Sequence, residues 1–206
     1  MVINRIDFLV DYAEKRNIEF GVVFIDLDNF KKINDTMGHH AGDILLQTVT
    51  SKLKKAIYKE DMLGRLGGDE FALVIQSNLK DYELEAYIEN LRVILMDKFI
   101  IENSEFHISA SFGIAFYPND GLDSAELLKC ADMAMYRAKD SGKNEIRYFG
   151  KISWFFRNFI YMCHLFYNII VNINKDINYI FTKISIACII YTGYIFLKKT
   201  LQNNSI

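Results

Sequence analysis

Two adjacent glycines followed at once by two carboxylates and an aromatic, Gly67-Gly68-Asp69-Glu70-Phe71, constrain this chain more than any other segment. Glycine reaches backbone angles closed to other residues and leaves no side chain in the way of a ligand. Met62, Leu63 and Leu66 precede the pair, and an apolar run from Phe71 to Ile75 follows it. That pattern predicts strands near 61–66 and 70–76 joined by a tight turn. Asp69 and Glu70 bring hard oxygen donors to the opening, the ligand type Mg²⁺ takes when it carries a triphosphate. Alone, the segment is equally compatible with an ordinary hairpin whose acids are solvated.

A second segment, residues 22–46, opens as a strand buried on both faces, because Val22 to Ile25 is continuously apolar. Asp26 and Asp28 lie at its C-terminal end and point to one side by the two-residue period, where open α/β sheets place ligands. Two acids with Lys31 close behind suggest a metal with a phosphate countercharge. The plainer alternative makes one of them the cap of a helical turn starting near Asn29.

In residues 126–144, Leu127, Leu128, Ala131, Ala134, Met135 and Ala138 recur at helical spacing, and Gly142 ends the helix. Lys139 and Lys143 bracket that end. They serve either to compensate the helix dipole or to meet a polyphosphate.

Together these segments resemble the GGDEF family of diguanylate cyclases, which condense two GTP molecules into cyclic di-GMP and release pyrophosphate. The resemblance covers residues 4 to about 149. It rests on Asn4-Arg5, the block Asp26 to Asp43, Gly67 to Phe71, Ile108 to Ala115 and Tyr136 to Asn144, in family order. It implies an α+β fold, a nucleotidyl cyclase-like βαββαβ core of ferredoxin or palm type with flanking helices. The coarse pattern agrees: helices near 4–17, 41–56, 81–97 and 123–140, and strands near 18–26, 61–66, 70–76, 106–116 and 145–149.

Carried onto this chain, the resemblance implies that Asp26, Asp69 and the Leu27 carbonyl hold Mg²⁺ or Mn²⁺, with Glu70 completing the acidic cluster. Asn34 and Asp43 match the guanine-reading pair; a carboxylate accepts both N1–H and N2–H of guanine, which adenine does not offer. Gly67 and Gly68 line the phosphates. Lys31, Lys139 and Lys143 match the phosphate-binding cations, and Lys143, often arginine in relatives, supplies a point charge where they have a fork. Asp69, Glu70 and Lys31 are the candidate catalytic residues, with Asp69 or Glu70 able to assist deprotonation of the attacking 3′-hydroxyl. Turnover in the family requires a homodimer with one GTP on each protomer. The alternative is an inactive GGDEF module that binds GTP or cyclic di-GMP as a regulatory sensor.

Two departures stand out. The family's opening Asp-x-Leu-Thr-Gly-Leu-x-Asn-Arg is reduced here to Met-Val-Ile-Asn-Arg, so a clipped N-terminus is expected. The Arg-x-x-Asp used by many relatives for product inhibition reads Tyr58-Lys59-Glu60-Asp61, which predicts weak or absent feedback at that place.

With net charge −2 over 206 residues and no basic stripe, a nucleic-acid polymer is not an expected partner. Cys130, Cys163 and Cys188 lack metal spacing and point to a reducing compartment; His39, His40 and His107 read as packing or surface residues. Beyond Gly150 the composition turns to Ile, Asn, Phe, Tyr and Lys, which divides the chain into a cyclase domain, 1–150, and an apolar helical extension, 151–206. Stretches 152–173 and 177–197 approach the length of a membrane span. Lys151, Arg157, Lys198 and Lys199 would keep both ends of a transmembrane hairpin cytoplasmic and anchor a cytoplasmic catalytic domain to the inner face of the membrane. Arg157, His164, Asn168, Asn172 and Lys183 weigh against that reading and leave a soluble oligomerisation segment or translated AT-rich sequence as alternatives.

Overall fold

The chain divides into two units, Met1–Lys151 and Ile152–Ile206. A computed structural model describes residues 2–150 apart from 77, 78, 80, 102 and 103; the expected tail segments 152–173 and 177–197 lie outside the described residues. Among the described residues no helix is long and apolar enough to cross a membrane.

In chain order the elements are α1 (Val2–Glu14), β1 (Phe20–Asp28), α2 (Phe30–Met37), α3 (His39–Ala56), β2 (Met62–Gly67), β3 (Glu70–Ile75), α4 (Asp81–Met96), β4 (Lys98–Ile101), β5 (Ser104–His107), β6 (Ser109–Tyr117), α5 (Ser124–Asp140) and β7 (Ile146–Tyr148). Five strands form one sheet in the order β2-β3-β1-β6-β7, antiparallel except for the last pair. The unit β1, helices, β2, β3, α4, β6 is the expected βαββαβ core, and β1 is its centre.

All nine residues of β1 are buried, because helices cover both faces of the sheet. Val23, Ile25 and Leu27 face a core with Leu45, Val49 and Leu53 of α3 and Ile88 and Leu91 of α4. The alternate set, Val22 and Phe24, meets Ile6 and Leu9 of α1 and Leu127 and Ala131 of α5. A strand sandwiched in this way reads as continuous hydrophobicity until function interrupts it, and the interruption is at Asp26. Helix α5 lies unusually close to the sheet. A Cβ on Gly113 of β6 would stand 2.0 Å from the Ala131 carbonyl and 2.2 Å from the Met135 amide, both backbone atoms. Only glycine permits that approach.

The structure departs from the sequence expectation in two places. Asn29 is followed by a separate helix, α2, which Gly38 at φ +84° breaks from α3. The single strand expected at 106–116 is two: β5 pairs with β4 in a small separate sheet, and only β6 joins the main one. Four-residue strands carry too little alternation to be told from their surroundings.

Candidate functional site

Three chain ends converge at the C-terminal edge of β1: the strand itself, the β2–β3 turn, and the end of α5. The turn is pinned from β2 and from β1. Arg65 Nε donates to the Gly68 carbonyl at 2.8 Å across the turn, and the Leu27 N–H donates to the Asp69 carbonyl at 3.3 Å. N–H and C=O of one strand residue project to the same side, so the Leu27 carbonyl also faces the turn. Gly68 adopts φ +47°. Glu70 is the direct cross-strand neighbour of Asp26, and neighbours in register share a face.

Asp26 is 5 % exposed. Its Oδ2 pairs with Lys139 Nζ at 2.7 Å, while its Oδ1 is buried without a hydrogen-bond partner among the described residues. Burial pushes the Asp26 carboxyl above its ordinary range, the hydrogen bond and charge of Lys139 oppose the shift, and the charges of Asp69 and Glu70 add to it. An orphaned carboxylate oxygen beside two further acids is a place where a hard cation fits. Among the described residues no three His, Cys, Asp or Glu side chains are gathered closely enough to hold a metal unaided.

Asp28 has a different role from the one its spacing suggests. Ser109 Oγ and Ser111 Oγ donate to its two oxygens at 2.6 and 2.8 Å, and the Asn144 N–H donates to Oδ2 at 3.0 Å. It is a knot tying β1 to β6 and to the turn after α5, and its oxygens are taken. Neither acid caps α2. The cap position belongs to Asn29, in the left-handed region at φ +62° with no side-chain capping bond; its Oδ1 instead accepts from Lys143 Nζ at 2.7 Å. Asp26–Lys139, Asp28–Asn144 and Asn29–Lys143 thus form three successive rungs between the end of β1 and the end of α5. Lys31 is exposed on the first turn of α2.

Asn34 and Asp43 meet through Gly42. A Cβ there would fall 1.9 Å from Asn34 Oδ1, so the Asn34 amide is seated over the Gly42 backbone, one residue from Asp43. Asp43 is exposed at the head of an open groove of about 590 Å³ along α3, which continues past Gln47 and Thr50 to Lys54 and Arg65. Of the residues singled out from the sequence, Asp26, Asp69, Glu70, Lys139 and Lys143 lie about the C-terminal end of β1, while Lys31 and Asn34 lie on α2 and Asp43 on α3. Sequence reasoning missed Asp28 as a knot and Asn144 as its partner; the signal available was Ser109-x-Ser111, whose two-residue period matches the register Asp26↔Ser111, Asp28↔Ser109.

The family model described as "Diguanylate cyclase, GGDEF domain" matches residues 1–145. The chain belongs to the GGDEF family. As a GGDEF domain it is similar to the bifunctional diguanylate cyclase/cyclic di-GMP phosphodiesterase MucR of Pseudomonas aeruginosa, 40 % identical over 71 % of this chain and 21 % of that protein. It is 41 % identical to the cyclic di-GMP phosphodiesterase PdeR of Escherichia coli, over 68 % of this chain and 21 % of that protein. The chain thus spans about a fifth of the length of these curated relatives. Among solved structures, the GGDEF domain of YfiN (TpbB) from Pseudomonas aeruginosa superposes with a TM-score of 0.69 at 31 % identity, covering 73 % of this chain and 94 % of that one. The active GGEEF domain of a diguanylate cyclase from Vibrio cholerae gives 0.65 at 26 % identity, covering 72 % and 94 %. The α+β fold follows from this membership.

Proposed function

We propose that the domain is a diguanylate cyclase, joining two GTP molecules into cyclic di-GMP with loss of pyrophosphate. The observation that carries the reading is the buried Asp26 carboxylate, with one oxygen unpartnered among the described residues, set beside Asp69, Glu70 and Lys139. Asp26, the Leu27 carbonyl and Asp69 would hold Mg²⁺ or Mn²⁺, whose chemistry when bound is to neutralise charge on the phosphate oxygens. Lys31, Lys139 and Lys143 are the cations available to the triphosphate, and Gly67 and Gly68 let it approach the turn without meeting a side chain. Asn34 and Asp43 read the guanine edge. Asp69 or Glu70 takes the proton of the attacking 3′-hydroxyl. The rest of the rate enhancement comes from positioning and fixed charge.

One domain presents one such edge, so joining two GTP molecules requires two copies facing each other, a homodimer. A second reading, a GGDEF module that binds GTP or cyclic di-GMP without turnover, is favoured by the relatives named only as phosphodiesterases. The two are separated by incubating the full chain with GTP and Mg²⁺ and following cyclic di-GMP, with Asp69→Ala as the blank. Product that disappears in Asp69→Ala supports the cyclase. Saturable GTP binding without product, in a dimeric preparation, supports the sensor.

A further inference from the structure

Lys143 and Asn144 stand in the left-handed region, at φ +66° and +53°, directly after Gly142 at φ +128°. Two consecutive non-glycine residues in that region persist only when surrounding contacts hold them. The Asn144 N–H is bound to Asp28, as described. The other side of the same residue is held by an arginine 52 positions away: Arg92 Nη1 on α4 donates to the Asn144 carbonyl at 3.2 Å and to its Oδ1 at 2.7 Å. The guanidinium is itself aimed. Its Nε and Nη2 form a fork on Glu89, one turn earlier in α4, at 2.8 and 2.6 Å, and the side chain is 17 % exposed.

We propose that Arg92 is a positioning residue for nucleotide binding, clamping the α5–β7 turn so that Lys143, and behind it Lys139, face the triphosphate. The proposal rests on the reading that these two lysines bind the triphosphate of GTP. Asn144 is gripped at its N–H by Asp28 from the strand side and at its carbonyl and side-chain oxygen by Arg92 from the helix side. Released from Arg92, Asn144 returns to an ordinary negative φ, and the Lys143 ammonium swings off Asn29. Lysine at position 92 cannot substitute, because one ammonium does not make a fork on Glu89 while also reaching two oxygens of Asn144. The base-reading pair, on α2 and α3, takes no part in the clamp.

The test compares affinity for GTP and GMP in Mg²⁺ by calorimetry, using the full chain as wild type, Arg92→Gln and Arg92→Lys, with thermal melting of each. The expected result is GTP affinity lower by about tenfold in both variants with GMP affinity unchanged, since GMP lacks the phosphates the lysines reach. Asn144→Gly, which keeps the left-handed turn and removes the Oδ1 contact, is expected to shift GTP affinity in the same direction by less, and it decides the matter if the Arg92 variants do not fold. Equal loss for GTP and GMP, or no loss for either, overturns the proposal. A wild type that does not prefer GTP to GMP overturns the lysine–triphosphate reading beneath it, and the proposal with it.

Discussion

Lys139 Nζ lies 2.7 Å from Asp26 Oδ2, so the cation at the end of α5 occupies one of the two oxygens of the buried acid at the centre of the site. On the proposed reading, a divalent ion would compete with the ammonium for that oxygen, and binding of a metal–nucleotide complex would leave the carboxylate to the metal and the lysine to phosphate.

Lys139→Met should therefore act in opposite directions on the two ligands. Without nucleotide, Mn²⁺ affinity is expected to rise by about tenfold, roughly 1.4 kcal/mol, as Asp26 loses its competitor. Affinity for GTP should fall by a similar factor. Mn²⁺ titration followed by electron paramagnetic resonance, alongside GTP calorimetry, reads both; a fall in Mn²⁺ affinity would contradict the exchange.

Asp26→Asn should abolish product formation yet stabilise the fold. The Asp26 carboxyl is raised, chiefly by burial, so the native state holds its proton to higher pH than the unfolded chain does. Stability from this group is present at low pH and declines as pH rises above the ordinary carboxylate value of 3.8. The amide carries no such charge. Urea unfolding should show the variant more stable by about 1 kcal/mol near neutral pH, with the gain shrinking toward pH 4. A constant gain at every pH would rule out the titration of Asp26 as its source.

Gly42→Ala separates base reading from stability. The new methyl would stand 1.9 Å from Asn34 Oδ1, and a side-chain amide yields more readily than backbone. Alanine also favours the helix by about 1 kcal/mol over glycine. The expected outcome is an unchanged or slightly higher melting temperature, with preference for GTP over ATP reduced about tenfold. Competition binding with the two nucleotides checks it, and retained preference would mean that Asn34 does not read the base.

Tyr58→Arg should not install product feedback, although it restores the first residue of the Arg-x-x-Asp pattern. Asp61 is 8 % exposed. Its Oδ1 accepts the Gln76 N–H at 2.9 Å and its Oδ2 the Tyr87 hydroxyl at 2.8 Å, and the Tyr58 ring tilts against Tyr87 at 4.7 Å. The acid is already spent on structure. Cyclic di-GMP titrated against the variant should show no binding beyond that of wild type, and Tyr87→Phe should cost about 1–2 kcal/mol in unfolding by taking a donor from Asp61. A new cyclic di-GMP site in Tyr58→Arg would show that Asp61 is free to turn outward.

Periodicity and turn chemistry made much of this molecule legible beforehand. The glycine pair between apolar runs marked β2 and β3, the unbroken Val22 to Ile25 marked the central strand, and the spacing from Leu127 to Ala138 marked α5. These are local properties, written in residues a few positions apart. Asp26 and Asp28 shared a face as their two-residue period required.

That same period could not tell the two acids apart. Asp28 is saturated by Ser109, Ser111 and Asn144, while Asp26 keeps a buried oxygen without a partner among the described residues. The difference is set by strand register and by the depth at which α5 lies on Gly113. Nor could spacing show that Arg92 grips Asn144 across 52 residues, or that Asp61 is enclosed by Tyr87. Local residue pattern was enough for the elements, the turn and the side of the strand on which the acids lie. Which charges are spent on one another and which are left to act was settled by packing, because the free energy of a carboxylate depends on its burial and on partners that the chain brings from far away.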